Sequence, residues 1–330
     1  MSTDTRTMAA IDIGSNSIKL RVAKSDGRKT TVLWDNTEIC HLGRGFVDGR
    51  IPNDTLENAA RVVIGMVSCA KELGAEKIRM VGTMALRVAQ NAGDFLSRIH
   101  DATGLDVQVI SGEEEARYSW KGAVAGLDSV KLLHGVSGEG DLVMFDTGGG
   151  STEFVFGRND DITKIQSVPV GAVTLTERFF CDAEVKPLSP VRQPVIDAAK
   201  EHILALLAEY GISYQAEGER APHQAPQVVG LGGGVVAMAS VKRAKEAFIP
   251  VELHGMELTR RDMIQQIRLY SMLTLEERRN IIGLPPSRAD VILGSACIVL
   301  CALEALGAKS CTLSINGLRH GVLMEMFEQQ

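Results

Sequence analysis

Two copies of one short motif constrain the fold more than any other feature of this sequence. Residues 12–17 read Asp-Ile-Gly-Ser-Asn-Ser, and residues 146–151 read Asp-Thr-Gly-Gly-Gly-Ser. Each copy follows a short apolar run and leads into a second strand-like run, a pattern that predicts two strands joined by a glycine turn. A third strand, and then helices alternating with strands, are predicted after each copy. Two tandem copies of one mixed α/β unit explain this repetition most economically.

The remaining elements are predicted from hydrophobic spacing, turn residues and capping residues. Strands are expected at 8–13, 17–24, 29–39, 76–83, 105–110, 141–146, 151–157, 162–170, 225–233 and 311–315. Helices are expected at 53–73, 94–99, 112–126, 171–180, 190–210, 259–271, 286–307 and 317–327, with a surface loop at 211–226. Ser111 and Glu114 have the spacing of a capping box, and Asn53 or Asp54 is expected to cap the helix at 53–73.

The length of the chain and the position of the second copy predict two domains. The chain has 330 residues, which is enough for two cores of ordinary size. A polar segment with several glycines, residues 126–140, comes just before the second copy. We therefore expect domains at 1–128 and 129–330, and we expect the last helix, at about 317–330, to pack back on the first domain.

Charge and hydropathy exclude several classes of function. The formal net charge is -6, so the chain has no general attraction for nucleic acid or for an acidic membrane. The longest apolar stretch, residues 291–306, is too short and too interrupted to cross a membrane. The N-terminal residues have no apolar core of signal-peptide length, and the six cysteines, none of them in a CxxC pair, are expected to be buried free thiols. These features predict a cytoplasmic protein.

The two glycine turns are candidate phosphate sites. Glycine lets the backbone approach a ligand closely, and successive N–H groups form a concavity that binds anions. The aspartates that end the preceding strands, Asp12 and Asp146, are placed to hold Mg²⁺ directly or through water. A third glycine cluster, residues 230–234, follows a strand and opens a helix, so it either binds a further phosphate or allows strand and helix to pack tightly.

Three glutamates, Glu113, Glu114 and Glu115, open the helix predicted at 112. Carboxylates complement the dipole at the N-terminus of a helix, which accounts for one or two of them. The functional interpretation requires one carboxylate to face a cleft between the domains and to act as general base on water. Arg87, which follows the strand at 76–83, is suited to bidentate contact with phosphate.

In these segments the sequence resembles the exopolyphosphatase/guanosine pentaphosphate phosphohydrolase (Ppx/GppA) family, in a short two-domain form. Three motifs carry the resemblance: DIGSNS, SGEEEA and DTGGGSTE. Matching segments run in order over nearly the whole chain, at 9–20, 81–96, 109–124, 142–157, 168–179, 228–235, 284–295 and 315–323. The resemblance implies an α/β fold of duplicated ribonuclease H-like domains flanking a cleft, the superfold of actin-like ATPases and acetate kinase. It also implies Mg²⁺, hydrolysis of phosphoanhydrides and a homodimer.

The resemblance further implies roles for individual residues. Glu115, directly before the alanine of its motif, matches the catalytic base. Asp146 is expected near the metal, Glu153 matches a further acidic position of the same motif, and Arg87 matches a phosphate-binding arginine of the cleft. The residues that match the two phosphate loops are Gly14, Ser15, Asn16, Ser17, Gly148, Gly149, Gly150 and Ser151, and the third glycine cluster adds Gly232, Gly233 and Gly234 as candidates.

The expected activity is that of an exopolyphosphatase, which removes the terminal phosphate of inorganic polyphosphate with Glu115 as general base. The alternatives are hydrolysis of guanosine pentaphosphate at its 5' end, and binding of a nucleotide or alarmone without turnover. A kinase of the same superfold and an actin-like assembly protein are further alternatives. Thr147 and Asn316 depart from the family, which usually has an apolar residue and an aspartate there. Longer relatives add helical C-terminal domains, so the preferred polymer length stays open.

Overall fold

The computed structural model describes residues 5–27, 29–129, 142–158, 161–182, 184, 186–213, 226–245 and 249–329. The chain forms two compact units, a first unit of residues 1–122 and 316–330 and a second unit of residues 123–315. Most of the segment in which we predicted the domain boundary, 126–140, and most of the predicted loop at 211–226 lie outside the described residues.

The elements are numbered in chain order. The strands are β1 (Arg6–Ile13), β2 (Ser17–Ser25), β3 (Thr30–Ile39), β4 (Lys77–Gly82), β5 (Val107–Val109), β6 (Leu142–Thr147), β7 (Thr152–Arg158), β8 (Asp161–Val168), β9 (Gln227–Leu231), β10 (Glu257–Thr259) and β11 (Ser310–Leu313). The helices are α1 (Asn53–Glu72), α2 (Met84–Val88), α3 (Ala92–Thr103), α4 (Gly112–Ser129), α5 (Ala172–Phe179), α6 (Gln193–Glu209), α7 (Gly233–Arg243), α8 (Arg260–Met272), α9 (Leu275–Arg279), α10 (Ile292–Ala305) and α11 (Leu318–Glu328).

The two units have the same sheet topology. The first sheet has the order β3-β2-β1-β4-β5, and the second has β8-β7-β6-β9-β11 with β10 added at the far edge. In both sheets the first three strands are antiparallel and the next two are parallel to the first. The registers also agree, since Asp12 lies opposite Lys19 as Asp146 lies opposite Glu153. The predicted fold class, duplicated ribonuclease H-like α/β domains, is confirmed.

The central strand of the first unit is buried on both faces. Ala9 and Ile11 of β1 belong to the hydrophobic core that includes residues of α1 and α3. Met8 and Ala10, which point to the opposite face, pack with residues of α11, among them Val322. A strand covered on both sides has no solvent-facing positions, so its sequence is a continuous apolar run rather than an alternating one. The core therefore fixes the end of β1, where the first glycine turn begins.

The core of the second unit is built around α10, which packs against α5, α6, α7 and α8. We predicted one helix over 286–307, but the structure has a short 3-10 turn at Pro286–Arg288 and starts α10 only at Ile292. Proline has no N–H to donate and disfavours helical backbone in the residue before it, which delays the helix. Cys297 lies inside this core, and burial raises the pKa of its thiol to about 12.

Two predictions about helix starts had opposite outcomes. The capping box is confirmed, because the Ser111 N–H donates to Glu114 Oε2 at 2.8 Å and the Glu114 N–H donates to Ser111 Oγ at 3.1 Å. The expected cap of α1 by Asn53 or Asp54 is wrong. Pro52 takes the capping position and no side chain accepts a hydrogen bond there, since the helix already includes Asn53.

The prediction of free thiols is also confirmed. None of the six cysteines, all of which lie in the described residues, forms a disulfide, and four of them, Cys40, Cys297, Cys301 and Cys311, are buried. Cys69 and Cys181 are partly exposed. Within the described part of the chain, no helix is both long enough and apolar enough to cross a membrane.

His254 links the first and last segments of the second unit and gives a testable pH dependence. The Ile315 N–H donates to His254 Nδ1, and His254 Nε2 donates to the Gly126 carbonyl. Both bonds are 3.3 Å long. Burial lowers the pKa of His254, although the bond to Gly126 opposes the shift. The unfolded chain therefore takes up this proton first as the pH falls, so the folded state loses stability below about pH 6.5.

We expect His254→Gln, which can still donate to Gly126 but does not titrate, to make the stability of the protein less dependent on pH. The measurement is the midpoint of urea unfolding at pH 7.5 and at pH 5.5 in both proteins. An unchanged difference between the two pH values in the variant would show that the acid sensitivity arises from other groups.

Candidate active site

The first glycine turn lies between β1 and β2 and is held by the segment that follows β3. The Gly14 N–H donates to the Ser17 carbonyl at 3.1 Å and closes the turn. The Ser15 carbonyl accepts from the Gly43 N–H at 2.6 Å, and the Asn16 carbonyl accepts from the N–H groups of residues 40 and 41 at 3.0 Å. Gly43 has to be small, since an added Cβ would lie 2.8 Å from Ser15 Cβ.

The second glycine turn has the same closure but a different support. The Gly148 N–H donates to the Ser151 carbonyl at 2.9 Å. The Gly148 carbonyl accepts from the first N–H of α5, that of Ala172, at 2.9 Å, and the Gly149 carbonyl accepts from the next two N–H groups at 2.8 and 3.2 Å. Gly171 permits this approach, because a Cβ there would overlap the backbone of the turn. The N-terminus of α5 thus takes up the carbonyls of the turn.

The direction of the carbonyls determines where the N–H groups of the second turn point. In a trans peptide the C=O and the following N–H point in opposite directions. The carbonyls of Gly148 and Gly149 point to α5, so the N–H groups of Gly149 and Gly150 point away from it. Among the described residues, these two N–H groups make no hydrogen bond. Adjacent N–H groups directed the same way form an anion-binding concavity, which fits the predicted phosphate loop.

The two turns differ in the charge beside them. In the first unit, Lys19 Nζ lies 2.9 Å from Asp12 Oδ2, so the aspartate is neutralised by the residue opposite it. In the second unit, the residue opposite Asp146 is Glu153, a second carboxylate. Like charges directly opposite each other on neighbouring strands are destabilising, unless hydrogen bonds or a cation compensate them. The second turn therefore has two carboxylates where the first has a carboxylate and a lysine.

Hydrogen bonds hold the Glu153 carboxylate in place. Glu153 is 1% exposed, and its Oε1 accepts from the hydroxyls of Ser151 at 2.6 Å and Ser167 at 2.9 Å. Oxygen ligands of this type suit Mg²⁺, which usually takes one or two carboxylates together with waters and substrate phosphates. Within the described residues, no group of three or more acidic, histidine or cysteine side chains forms a complete metal site. The carboxylates of Asp146 and Glu153 are of the type that such a cation takes from the protein.

Glu115 and Arg87 are brought together in the first unit. Arg87 lies one turn into the segment after β4, where the Thr83 N–H bonds to the Ile13 carbonyl directly before the first glycine turn. Arg87 Nη1 donates both to Glu115 Oε2 at 3.0 Å and to the Ile110 carbonyl at 2.8 Å. The Glu115 side chain is 15% exposed. The geometry therefore places a carboxylate and a guanidinium beside the end of β1.

The other two glutamates of this helix have structural partners. Glu113 is an exposed residue whose Oε1 accepts from Arg117 Nη2 at 2.8 Å, one turn along the helix. Glu114 completes the capping box. Of the three, Glu115 is the one whose side chain is largely buried and paired with an arginine from another element.

The third glycine cluster is explained by packing. Gly232 has φ +107, and a Cβ there would overlap the Thr147 carbonyl oxygen. A Cβ on Gly233 would overlap the guanidinium of Arg288, and one on Gly234 would overlap the side chain of Ser295. Gly232 and Gly234 are thus required by close neighbours, and the guanidinium beside Gly233 is the end of a flexible side chain; the cluster agrees with the packing alternative. The phosphate-binding alternative stays a prediction.

Thr147 departs from the family at a cost that can be measured. Its hydroxyl is buried and has no hydrogen-bond partner among the described residues, although the side chain is only 4% exposed. A buried hydroxyl without a partner costs about 1–3 kcal/mol. We expect Thr147→Val, which has nearly the same shape, to raise the free energy of unfolding by about 1 kcal/mol and to leave activity unchanged. Chemical denaturation measures this, and a loss of stability would show that the hydroxyl has a partner.

Comparison with known proteins identifies the family. The model of the Ppx/GppA phosphatase family matches residues 21–330. The chain belongs to the Ppx/GppA phosphatase family. The structure of the Ppx/GppA family member from Aquifex aeolicus is similar, with 29% identity, a TM-score of 0.78 and coverage of 99% of both chains. An exopolyphosphatase from Cytophaga hutchinsonii shares the fold at 22% identity, with a TM-score of 0.83 and coverage of 98% of both chains.

A curated relative of this chain is the guanosine-5'-triphosphate,3'-diphosphate pyrophosphatase of Photobacterium profundum. The two are 29% identical over 323 residues, which is 97% of this chain and 59% of the relative. The chain thus spans somewhat more than half the length of this relative. The predicted family is confirmed.

Sequence reasoning missed three residues around the Ppx/GppA motifs. Lys19 could have been found from the repeat, since it stands seven residues after Asp12 as Glu153 does after Asp146. Ser167 bonds to Glu153 from β8, and no motif indicates it. His41 contacts Asn16 from the segment after β3.

Asn316, the second departure from the family, accepts a hydrogen bond from Arg21 Nη1 at 3.1 Å.

Proposed function

We propose that this protein is an exopolyphosphatase, which hydrolyses the terminal phosphoanhydride of inorganic polyphosphate. The observation that carries the proposal is the double anchor of Arg87, whose Nη1 bonds both to Glu115 and to the Ile110 carbonyl. One arginine thus orients a carboxylate and is itself held in place. Family membership supplies the reaction class, and the resemblance supplies the role of Glu115.

The two bonds use only Nη1 of Arg87, so the other nitrogens of the guanidinium can donate to a phosphate. Nη2 and Nε of Arg87 make no hydrogen bond among the described residues, and the side chain is 22% exposed. A guanidinium edge with two donors matches two phosphate oxygens. Arg87 therefore binds a phosphate of the substrate with one part of its guanidinium while Nη1 holds Glu115.

In the proposed reaction, Glu115 accepts a proton from water as the water oxygen attacks the terminal phosphorus. The bond between this phosphorus and the bridging oxygen breaks, and the shortened chain leaves with that oxygen. The phosphoryl group needs positioning and neutralisation more than covalent help from the protein. The N–H groups of Gly149 and Gly150 would provide part of this for a chain whose net charge is -6.

A divalent cation is part of the proposal. Asp146 and Glu153 would hold it, and the ion would neutralise charge on the phosphate oxygens. We expect EDTA to abolish phosphate release and Mg²⁺ to restore it. Asp146→Asn should raise the Mg²⁺ concentration for half-maximal activity by about tenfold or more. Titration of activity against Mg²⁺ measures this, with Asp161→Asn, an exposed aspartate of β8, as the control. An unchanged Mg²⁺ requirement would remove Asp146 from the cation site.

Guanosine pentaphosphate is the second candidate substrate. It is favoured by the name of the Photobacterium relative, whereas the Cytophaga structure is named an exopolyphosphatase. Both substrates present the same terminal phosphoanhydride, so the same residues would act on either. The homodimer and the cytoplasmic location implied above remain predictions.

The test is release of inorganic phosphate by the purified protein with Mg²⁺. Tripolyphosphate, long-chain polyphosphate, guanosine pentaphosphate and ATP are compared at equal concentration of terminal phosphate. We expect kcat/KM to be highest for one of the polyphosphates. A preference for guanosine pentaphosphate would establish the second candidate. Binding of a substrate with no release of phosphate from any of the four would favour a module that binds a nucleotide or alarmone without turnover.

A further inference from the structure

His41 has an unusual backbone conformation next to the first glycine turn. Its φ is +54, in the left-handed region that a residue with a β-carbon adopts at a cost. This conformation allows two successive N–H groups, those of Cys40 and His41, to donate to the same carbonyl, that of Asn16. The backbone of this segment therefore holds the backbone of the turn.

The side chain of His41 holds the side chain of the same asparagine. His41 Nδ1 lies 3.1 Å from Asn16 Oδ1. An amide oxygen only accepts hydrogen bonds, so the histidine carries a proton on Nδ1 and donates it. Both the neutral form with this proton and the protonated form can make the bond.

The other end of the Asn16 amide has no partner in the described part of the chain. Asn16 is 7% exposed, and its Nδ2 is buried and makes no hydrogen bond there. Buried amide groups nearly always have a partner, because the missing bond costs free energy. Asn16 lies in a turn that we propose binds phosphate, and a phosphate oxygen is an acceptor suited to this group.

We propose that His41 is a positioning residue, which fixes the Asn16 amide so that Nδ2 donates to a substrate phosphate. This inference rests on the proposed function, because it takes the first glycine turn to be a phosphate site. His41 acts through Asn16 and does not touch the substrate. Its contribution is the orientation of one donor before the substrate arrives.

The left-handed backbone at His41 supplies a matched pair of variants. Glycine and asparagine both tolerate positive φ, so neither His41→Gly nor His41→Asn strains the segment. Asparagine has an N–H at the place of histidine Nδ1, and glycine has none. A difference between the two variants therefore reports the side-chain bond rather than the backbone.

The experiment measures kcat, KM and the affinity for tripolyphosphate, the last by calorimetry in a Glu115→Gln background. His41→Gly should raise KM and weaken binding about three- to tenfold, the range for one hydrogen bond, with kcat changed by less than about twofold. His41→Asn should come within about twofold of the parent protein. In an Asn16→Ala background, His41→Gly should have no further effect.

Three outcomes would overturn the inference. His41→Gly could bind like the parent, or His41→Asn could bind as weakly as His41→Gly. A loss in His41→Asn that grows below about pH 6.5 would show that the imidazolium acts on phosphate by its charge. If Asn16→Ala itself leaves binding unchanged, the first turn is not a phosphate site and the proposed function loses that support. If Asn16→Ala weakens binding and His41→Gly does not, the inference about His41 alone is wrong.

Discussion

Replacement of Glu115 by glutamine is expected to lower kcat for phosphate release by about 10²–10⁴-fold, the usual contribution of a general base. Glutamine keeps the size of the side chain and can still accept a hydrogen bond from Arg87 Nη1. It cannot take a proton from water. The fold should therefore persist, as measured by circular dichroism and thermal unfolding, while turnover is lost.

The neighbouring glutamates provide the controls. Glu113→Gln changes an exposed residue that pairs with Arg117 on its own helix, so it should leave kcat unchanged. Glu114→Gln keeps the capping box, in which glutamine serves as well as glutamate. Near-normal turnover by Glu115→Gln, or an equal loss in Glu113→Gln, would show that the base is elsewhere.

Gly232→Ala is expected to destabilise the second unit by about 3 kcal/mol or more. Two costs add, because φ of +107 is unfavourable for alanine and because the new Cβ would overlap the carbonyl oxygen of Thr147. Thr147 lies between Asp146 and Gly148, so its displacement should also reduce activity. Thermal and urea unfolding measure the first effect, and phosphate release at a permissive temperature measures the second.

Gly307 is a matched control in the same unit. Its φ is +64, but a Cβ there would meet nothing within 4 Å. Gly307→Ala therefore has the cost of the left-handed backbone alone, about 1–2 kcal/mol, and should retain activity. Equal destabilisation by the two substitutions would show that the contact with Thr147 contributes nothing.

Much of the fold could be predicted because the repeat and the hydrophobic pattern agree. The strands on either side of the two Asp-x-Gly turns, and the long helices α1, α4 and α6, follow from apolar spacing and from glycines near their ends. The short elements β10 and α9, of three and five residues, could not be found in this way. A segment so short covers too little of the hydrophobic period of a helix or of a strand to be distinguished from a loop.

The site could be predicted only as far as local motifs reach. Glycine turns and their aspartates are contiguous in sequence, so a motif predicts Gly148 and Asp146 together as candidates. The bond from Ser167 to Glu153 and the bond from His41 to Asn16 each join residues on different elements. Such contacts depend on how the strands lie side by side, which no single segment encodes. The pairing of Arg87 with Glu115 was missed for the same reason.

The most direct test of the central claim is hydrolysis of tripolyphosphate in water enriched in ¹⁸O, with mass spectrometry of the products. Attack of water on the terminal phosphorus predicts one ¹⁸O atom in each released phosphate and none in the pyrophosphate formed in the first turnover. Label in the pyrophosphate instead, or transfer of the phosphoryl group to an added acceptor without labelled phosphate, would contradict terminal hydrolysis by this protein.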